Sequence, residues 1–361
     1  MVEGVTDNKR SSLTLDFERI NNATLGFEKV FVVNLAERTD KRDGLSLTAA
    51  LTDIKLDWTR AMRGSDVGDK ALPLGVDRKE WRDGGIGSWR SQMNVIRSIV
   101  EDSIASALIL EDDADWDVRL KEQLVRFAEG SRVDSIRPTM PHSPYGDGWD
   151  ILWLGHCGDT FPERIPGHHI IDTDSARYKY YAVHNDETMP PPEHTMSWIS
   201  GDLKRHPATR WVHFSGGPTC SAGYALSQAG ARKVLLALSV GGTLVAQLDN
   251  AISDLCRHHT PWDAPEDIEG PPGYPGARMR CLSVTPALVS QHKPRGRRAA
   301  DSDIEPIYNV DAVRDVGESP NLVWSARLNA QNLILGLPMQ HQFVAHEEKG
   351  AMDYNLHIRN S

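Results

Sequence analysis

The chain has 361 residues, 40% of them hydrophobic and 25% charged, the balance of a soluble globular protein with room for one large α/β domain or two smaller ones. Its formal net charge is -10, which argues against a nucleic-acid partner, since such proteins carry a basic surplus. The longest uncharged stretch, Val234 to Leu248, is broken by Gly241-Gly242 and is too short for a transmembrane span, and the N-terminus has no apolar signal core, so the chain reads as cytosolic unless an anchor lies outside it.

Residues 1–26 are polar and expected to be poorly ordered. Val30 to Leu35 is a β-prone run, followed by the charged turn Glu37 to Arg42. Thr39 or Asp40 can cap a helix running through Leu45, Leu47 and Leu51, and a short strand is expected near Leu56 to Thr59. Gly84-Gly85-Ile86-Gly87-Ser88 reads as a flexible turn into a helix striped by Ile96, Ile99 and Val100. Leu108 to Leu110 form a buried strand, and a helix follows from about Val118 to Ala128. Residues 131–149 are a Pro/Gly loop, and Asp150 to Leu154 is another buried strand.

Residues 159–213 are the least regular part, rich in Pro, His and Asp, and read as an insertion that forms an acceptor-site wall or lid. Strands are expected at Trp211 to Ser215 and Ser221 to Leu226, helices at Gln228 to Leu238 and 247–258, and strand fragments at Leu282 to Val284 and Leu288-Val289. This alternation predicts an α/β fold with a mostly parallel sheet and helices on both faces. The principal domain is placed at 27–310, with a C-terminal extension at 311–361.

Four cysteines (Cys157, Cys220, Cys256, Cys281) lie far apart with no CxxC pair, which argues against zinc; two disulfides are permitted but not required. His168-His169 and His258-His259 have no acidic partner at ligand spacing and read as surface loops. The basic cluster Lys293, Arg295, Arg297 and Arg298 reads as a solvated loop that a substrate phosphate can use.

The most informative feature is Ala107 to Asp115, an apolar run that ends in Glu111, Asp112, Asp113 and Asp115. Carboxylates this close repel one another unless a cation or a row of donors neutralises them. Hard oxygen ligands suit Mg²⁺ or Mn²⁺ with a substrate phosphate as co-ligand. The plainer alternative is an acidic strand-end loop. A Mg²⁺ phosphohydrolase is a further reading, weakened because Asn34 stands where a nucleophilic Asp is needed.

Five blocks in a fixed order, spanning roughly residues 28 to 292, resemble glycosyltransferase family 25. They are Val32-Val33-Asn34-Leu35 with Arg38, Asp40 and Arg42; Gly85 to Gln92; Leu110-Glu111-Asp112-Asp113; Asp150 to Gly155; and Ala222 to Ser227 with Gly230 to Lys233, Leu248-Asp249 and Ser290-Gln291. Two positions depart from the family pattern: Ser88 replaces its Cys and Gln92 its His.

The resemblance implies a GT-A fold and a metal-dependent transfer of galactose or glucose from a UDP-sugar to a glycan or glycoprotein hydroxyl, with inversion. It implies that Asn34, Arg38 and Ser91 lie near the donor and that Asp112 contacts the ribose. Asp113 is then the direct ligand of Mn²⁺ or Mg²⁺, Glu111 acts from behind it or through water, Asp115 offers an alternative pair with Asp113, and His292 completes the set. Asp249 is the candidate base, its alternative being a cap for a helix starting at Asn250. Tyr224 and Trp153 read as core aromatics. A Golgi or secretory location follows from the resemblance. The competing reading is a catalytically silent sugar-nucleotide or glycan-binding protein of the same fold.

Overall fold

Alternation along β1 (Lys29–Asn34) sets the two faces of the protein: Val30 and Val32 enter one apolar core, Phe31 and Val33 the other. β3 (Ser106–Glu111) pairs with β1 in parallel and is apolar on both sides, with Leu108 and Leu110 in the first core and Ala107 and Ile109 in the second. A strand buried on both faces needs helices above and below. The computed structural model describes residues 17–132, 141–164, 180–195, 200–240, 246–257, 279–304 and 311–343, and supplies both layers. Helix α1 (Thr39–Leu51) packs Leu45 and Ala49 into the first core; α2 (Asp83–Glu101) packs Trp89, Met93, Ile96 and Ile99 into the second.

The main sheet has the order β2-β1-β3-β8-β5-β9-β7-β6, with β2 Asp57–Arg60, β5 Ile151–Gly155, β6 Tyr181–His184, β7 Thr209–Phe214, β8 Gly223–Ser227 and β9 Cys281–Thr285. Pairings β1–β2, β1–β3 and β5–β9 are parallel; β3–β8, β5–β8, β7–β9 and β6–β7 are antiparallel. The sheet is therefore mixed rather than mostly parallel, although six of its eight strands point the same way. The reversed β8 sits between β3 and β5 with Tyr224, Ala225 and Leu226 wholly buried. Its apolar pattern reports burial and carries no information on direction.

Three other expectations change. The glycine run at 84–87 is the first turn of α2 rather than a turn before it. A Cβ on Gly87 would sit 2.6 Å from the Met62 carbonyl oxygen, so the glycine lets the chain after β2 cross the start of the helix. The described part of residues 1–26 is packed, with Ile20 and Leu25 in the core. The 159–213 stretch contributes β6 and β7 to the edge of the main sheet; its residues 165–179 and 196–199 lie outside the described residues, as do His168-His169 within it and His258-His259 beyond it.

The chain leaves β1 towards β2 by way of α1 on one face, and reaches β3 by way of α2 on the other. The carboxyl ends of β1 and β3 thus flank a topological switch point, where open α/β sheets place their ligands.

Candidate active site

A cleft of about 640 Å³ opens at that edge of the sheet. Its floor is the acidic turn. Glu111 ends β3, Asp112 and Asp113 form the turn, and β4 (Ala114–Trp116) follows, pairing antiparallel with β10 (Val289–Gln291). The N–H of His292 donates to the Asp113 carbonyl oxygen at 2.7 Å, which fixes the far end of the turn. Around this floor stand the first turns of α2, the Cys220-Ser221 loop before β8, the N-terminus of α3 (Leu248–Arg257), and residues 301–304.

The carboxylates have unequal surroundings. Glu111 accepts hydrogen bonds from Ser221 Oγ at 2.6 Å and Gln291 Nε2 at 3.0 Å. Burial, with the negative charge of Asp113 added, pushes its carboxyl up to about 7. Asp112 accepts from Asn34 Nδ2 at 2.9 Å and pairs with Lys41 Nζ at 3.0 Å. Burial raises its carboxyl even so, outweighing the lysine. Asp113 Oδ2 lies 3.1 Å from Lys41 Nζ, whereas Asp113 Oδ1 is buried with no hydrogen-bond partner. An unpaired buried carboxylate oxygen is costly and calls for a cation or donor.

Asp115 points away from the cleft. Successive strand residues face opposite sides, so Asp115 turns where Ala114 does not. It is fully buried and accepts from Ser319 Oγ at 2.6 Å, from Ser325 Oγ, and from the Arg327 N–H at 3.1 Å. Asp117 does a similar job: its oxygens take the N–H groups of Arg119 and Trp324, and burial pushes its carboxyl up to about 6. Arg327 closes the lock by donating to the Asp112 and Ala114 carbonyl oxygens at 2.8 and 2.9 Å. The described part of the C-terminal extension, 311–343, is therefore built into the back of the acidic turn.

The remaining candidates divide. Asp249 and His292 line the cleft. Asp249 is the second residue of α3 and accepts the Cys220 N–H at 2.8 Å through Oδ2, so it holds the loop before β8 rather than capping a helix that begins at Asn250. Burial lowers the His292 pKa, leaving a neutral ring whose Nδ1 is 2.9 Å from Ser319 Oγ. Ser91 lines the cleft but is engaged, donating to the Gly87 carbonyl oxygen at 2.6 Å and accepting the Met62 N–H at 2.8 Å. Asn34 lies beneath, bridging the Arg38 carbonyl oxygen and Asp112. Arg38 braces the wall: its guanidinium binds Asp40 at 2.9 and 3.0 Å, Ala300 O at 2.8 Å, and Asp303. Gln92 accepts from the Tyr224 hydroxyl at 3.0 Å inside the second core, and Tyr224 and Trp153 are core residues as expected.

Sequence reasoning gave no role to Lys41 or Ser221, nor to Gln291, which stood in the fifth block only as part of a pattern. Lys41 follows Arg38 by one near-turn of helix, which was a usable signal; Ser221 and Gln291 are brought in only by the sheet.

All four cysteines are paired, Cys157–Cys220 and Cys256–Cys281. The first ties the end of β5 to the loop that holds Asp249 and Glu111. No helix among the described residues is long and apolar enough to cross a membrane.

The donor set fits a small hard cation in one specific sense. Among the described residues no three His, Cys, Asp or Glu side chains form a ready metal cage. Mg²⁺ and Mn²⁺ do not need one, because they bind through one or two carboxylates plus substrate phosphates. Asp113, with its unpartnered oxygen, and Glu111 are the groups that meet this description.

No family model matches the chain. It is 25% identical over 174 residues to procollagen galactosyltransferase 1 of Danio rerio, covering 44% of this chain and 26% of that protein. It is 26% identical over 184 residues to procollagen galactosyltransferase 1-A of Xenopus laevis, covering 46% and 28%. It is 23% identical over 185 residues to the inactive glycosyltransferase 25 family member 3 of Homo sapiens, covering 46% and 29%. The chain is thus similar to family 25 glycosyltransferases, and it spans less than a third of the length of these relatives.

Proposed function

We propose that the cleft is the active site of a metal-dependent glycosyltransferase that moves a hexose, galactose or glucose, from a UDP-sugar to a hydroxyl of a glycan or glycoprotein, with inversion. The observation that carries this reading is the buried, unpartnered Asp113 Oδ1 beside Glu111 at the switch point of the sheet. The charge of the cleft supports it. Eight carboxyl groups line it (Glu37, Asp83, Glu111, Asp112, Asp113, Asp249, Asp301, Asp303) against three cations (Lys41, Arg63, Lys293), so the lining stays acidic even with Glu111 partly protonated and Asp303 paired to Arg38. A diphosphate entering alone would be repelled, whereas one accompanied by a divalent cation is not.

Asp113 and Glu111 would hold Mn²⁺ or Mg²⁺, with His292 at the margin. The metal, when bound, stabilises the negative charge that builds on the leaving diphosphate. Ser221 and Gln291 keep Glu111 aimed at the turn. Asp249 takes the proton of the acceptor hydroxyl; with Oδ2 held by the Cys220 N–H, Oδ1 is the oxygen that receives it. Inversion needs only this one base, because attack and departure occur on opposite faces of the sugar. The two disulfides fit an oxidising compartment, and we place the enzyme in the secretory lumen, the Golgi included.

The test is a panel of nucleotide sugars with and without Mn²⁺. The expected result is metal-dependent UDP release from one donor, faster with acceptor, and lost in Asp113→Ala while the fold is kept. Retained turnover in that variant would refute the metal assignment. The committed amide of Gln92 and the inactive relative favour one alternative, a silent binding protein; UDP affinity without turnover of any donor would establish it.

A further inference from the structure

We infer that Lys41 is the resident counter-ion of the acidic turn: its ammonium holds Asp113 through Oδ2, next to the unpartnered oxygen a divalent cation must reach, and shifts to the diphosphate when cation and diphosphate arrive together. This rests on the reading of the cleft as a metal-dependent transferase site.

Lys41 is the third residue of α1 and lines the cleft with a nearly enclosed side chain. Its Nζ lies 3.0 Å from Asp112 Oδ1, 3.1 Å from Asp113 Oδ2 and 3.9 Å from Asp303 Oδ2. Asp112 is satisfied on both sides, by Lys41 and by Asn34. Asp113 is not, since its Oδ1 has no partner. The lysine therefore neutralises the cluster only in part.

A tethered single charge here has two effects. It relieves the repulsion between Asp112 and Asp113, so the turn is assembled before any ligand arrives. It also opposes a bare divalent ion at Asp113, because that ion must settle beside an ammonium already bonded to the same carboxylate. A diphosphate changes the balance. Its oxygens give the ammonium a new acceptor as the metal takes Asp113, so each ligand favours the other. Coupling of this kind is reciprocal, with typical factors of roughly 5 to 150. Lys41 is a positioning residue in this scheme, and it makes the cleft respond to the metal–nucleotide pair rather than to free metal.

The experiment is a Mn²⁺ titration of the full chain, followed by the paramagnetic resonance of the free ion, with and without UDP. In the parent, UDP should tighten Mn²⁺ binding by about tenfold or more. Lys41→Met, which removes the charge at similar length, should bind Mn²⁺ alone about tenfold more tightly and lose most of the UDP enhancement. Lys41→Arg should restore the parental pattern. If Lys41→Met does not fold, Lys41→Gln carries the same comparison. Unchanged Mn²⁺ affinity with full UDP enhancement in the uncharged variant, while Asp113→Ala loses Mn²⁺, overturns the role of Lys41 and leaves the metal site standing. No Mn²⁺ binding in parent or variant, even with UDP, overturns the metal-dependent reading itself.

Discussion

Glu111→Gln probes the electrostatics of the acidic turn without emptying it. In the folded chain burial and Asp113 push this carboxyl from an ordinary 4.5 up to about 7. The folded state therefore keeps the proton to higher pH than the unfolded chain does. As pH rises from about 4.5 to about 7 the unfolded chain ionises first, and stability falls across that window. At about 1.4 kcal/mol per tenfold change in proton affinity, the loss is a little over ~3 kcal/mol. Because the side chain keeps some contact with the cleft, that figure is an upper one. Glutamine cannot ionise and can still accept from Ser221. The variant should match the parent at about pH 4 and exceed it by up to about 3 kcal/mol at about pH 8, measured by urea denaturation with chelator present. Adding Mn²⁺ at the higher pH should narrow the gap by stabilising the parent alone. A gap that does not change with pH would refute the buried-carboxylate account of Glu111.

Two more outcomes follow from the same geometry. Asp115→Asn should cost about 3 kcal/mol or more by weakening the hold on Ser319, Ser325 and Arg327, yet leave Mn²⁺ affinity within about threefold. A loss of Mn²⁺ binding as large as that of Asp113→Ala would return Asp115 to the metal set. The Cys157→Ser/Cys220→Ser pair opens a link between residues 63 apart in sequence and should lower stability by about 4 kcal/mol, read from thermal melting. It should also reduce kcat more than donor affinity, since the released loop carries the Cys220 N–H that orients Asp249; an unchanged kcat would count against Asp249 as the base.

Local pattern in the chain was enough to place the acidic cluster at a strand end. An apolar run at β period followed at once by carboxylates can be read residue by residue, and the same holds for β1, for the stripe on α2 and for the order of the five blocks. The partners of those acids were not legible. Asp113 and Asp115 look alike in sequence, and only the antiparallel pairing of β4 with β10 turns the second into the protein, onto serines more than 200 residues away. Tertiary structure alone brings Lys41 over the turn, reverses β8 between two strands it does not follow, and chooses Cys157–Cys220 among the possible pairings. The physical reason is that periodicity encodes which side of an element is buried, a property of neighbours in the chain, whereas charge compensation depends on groups that meet only when the sheet has formed.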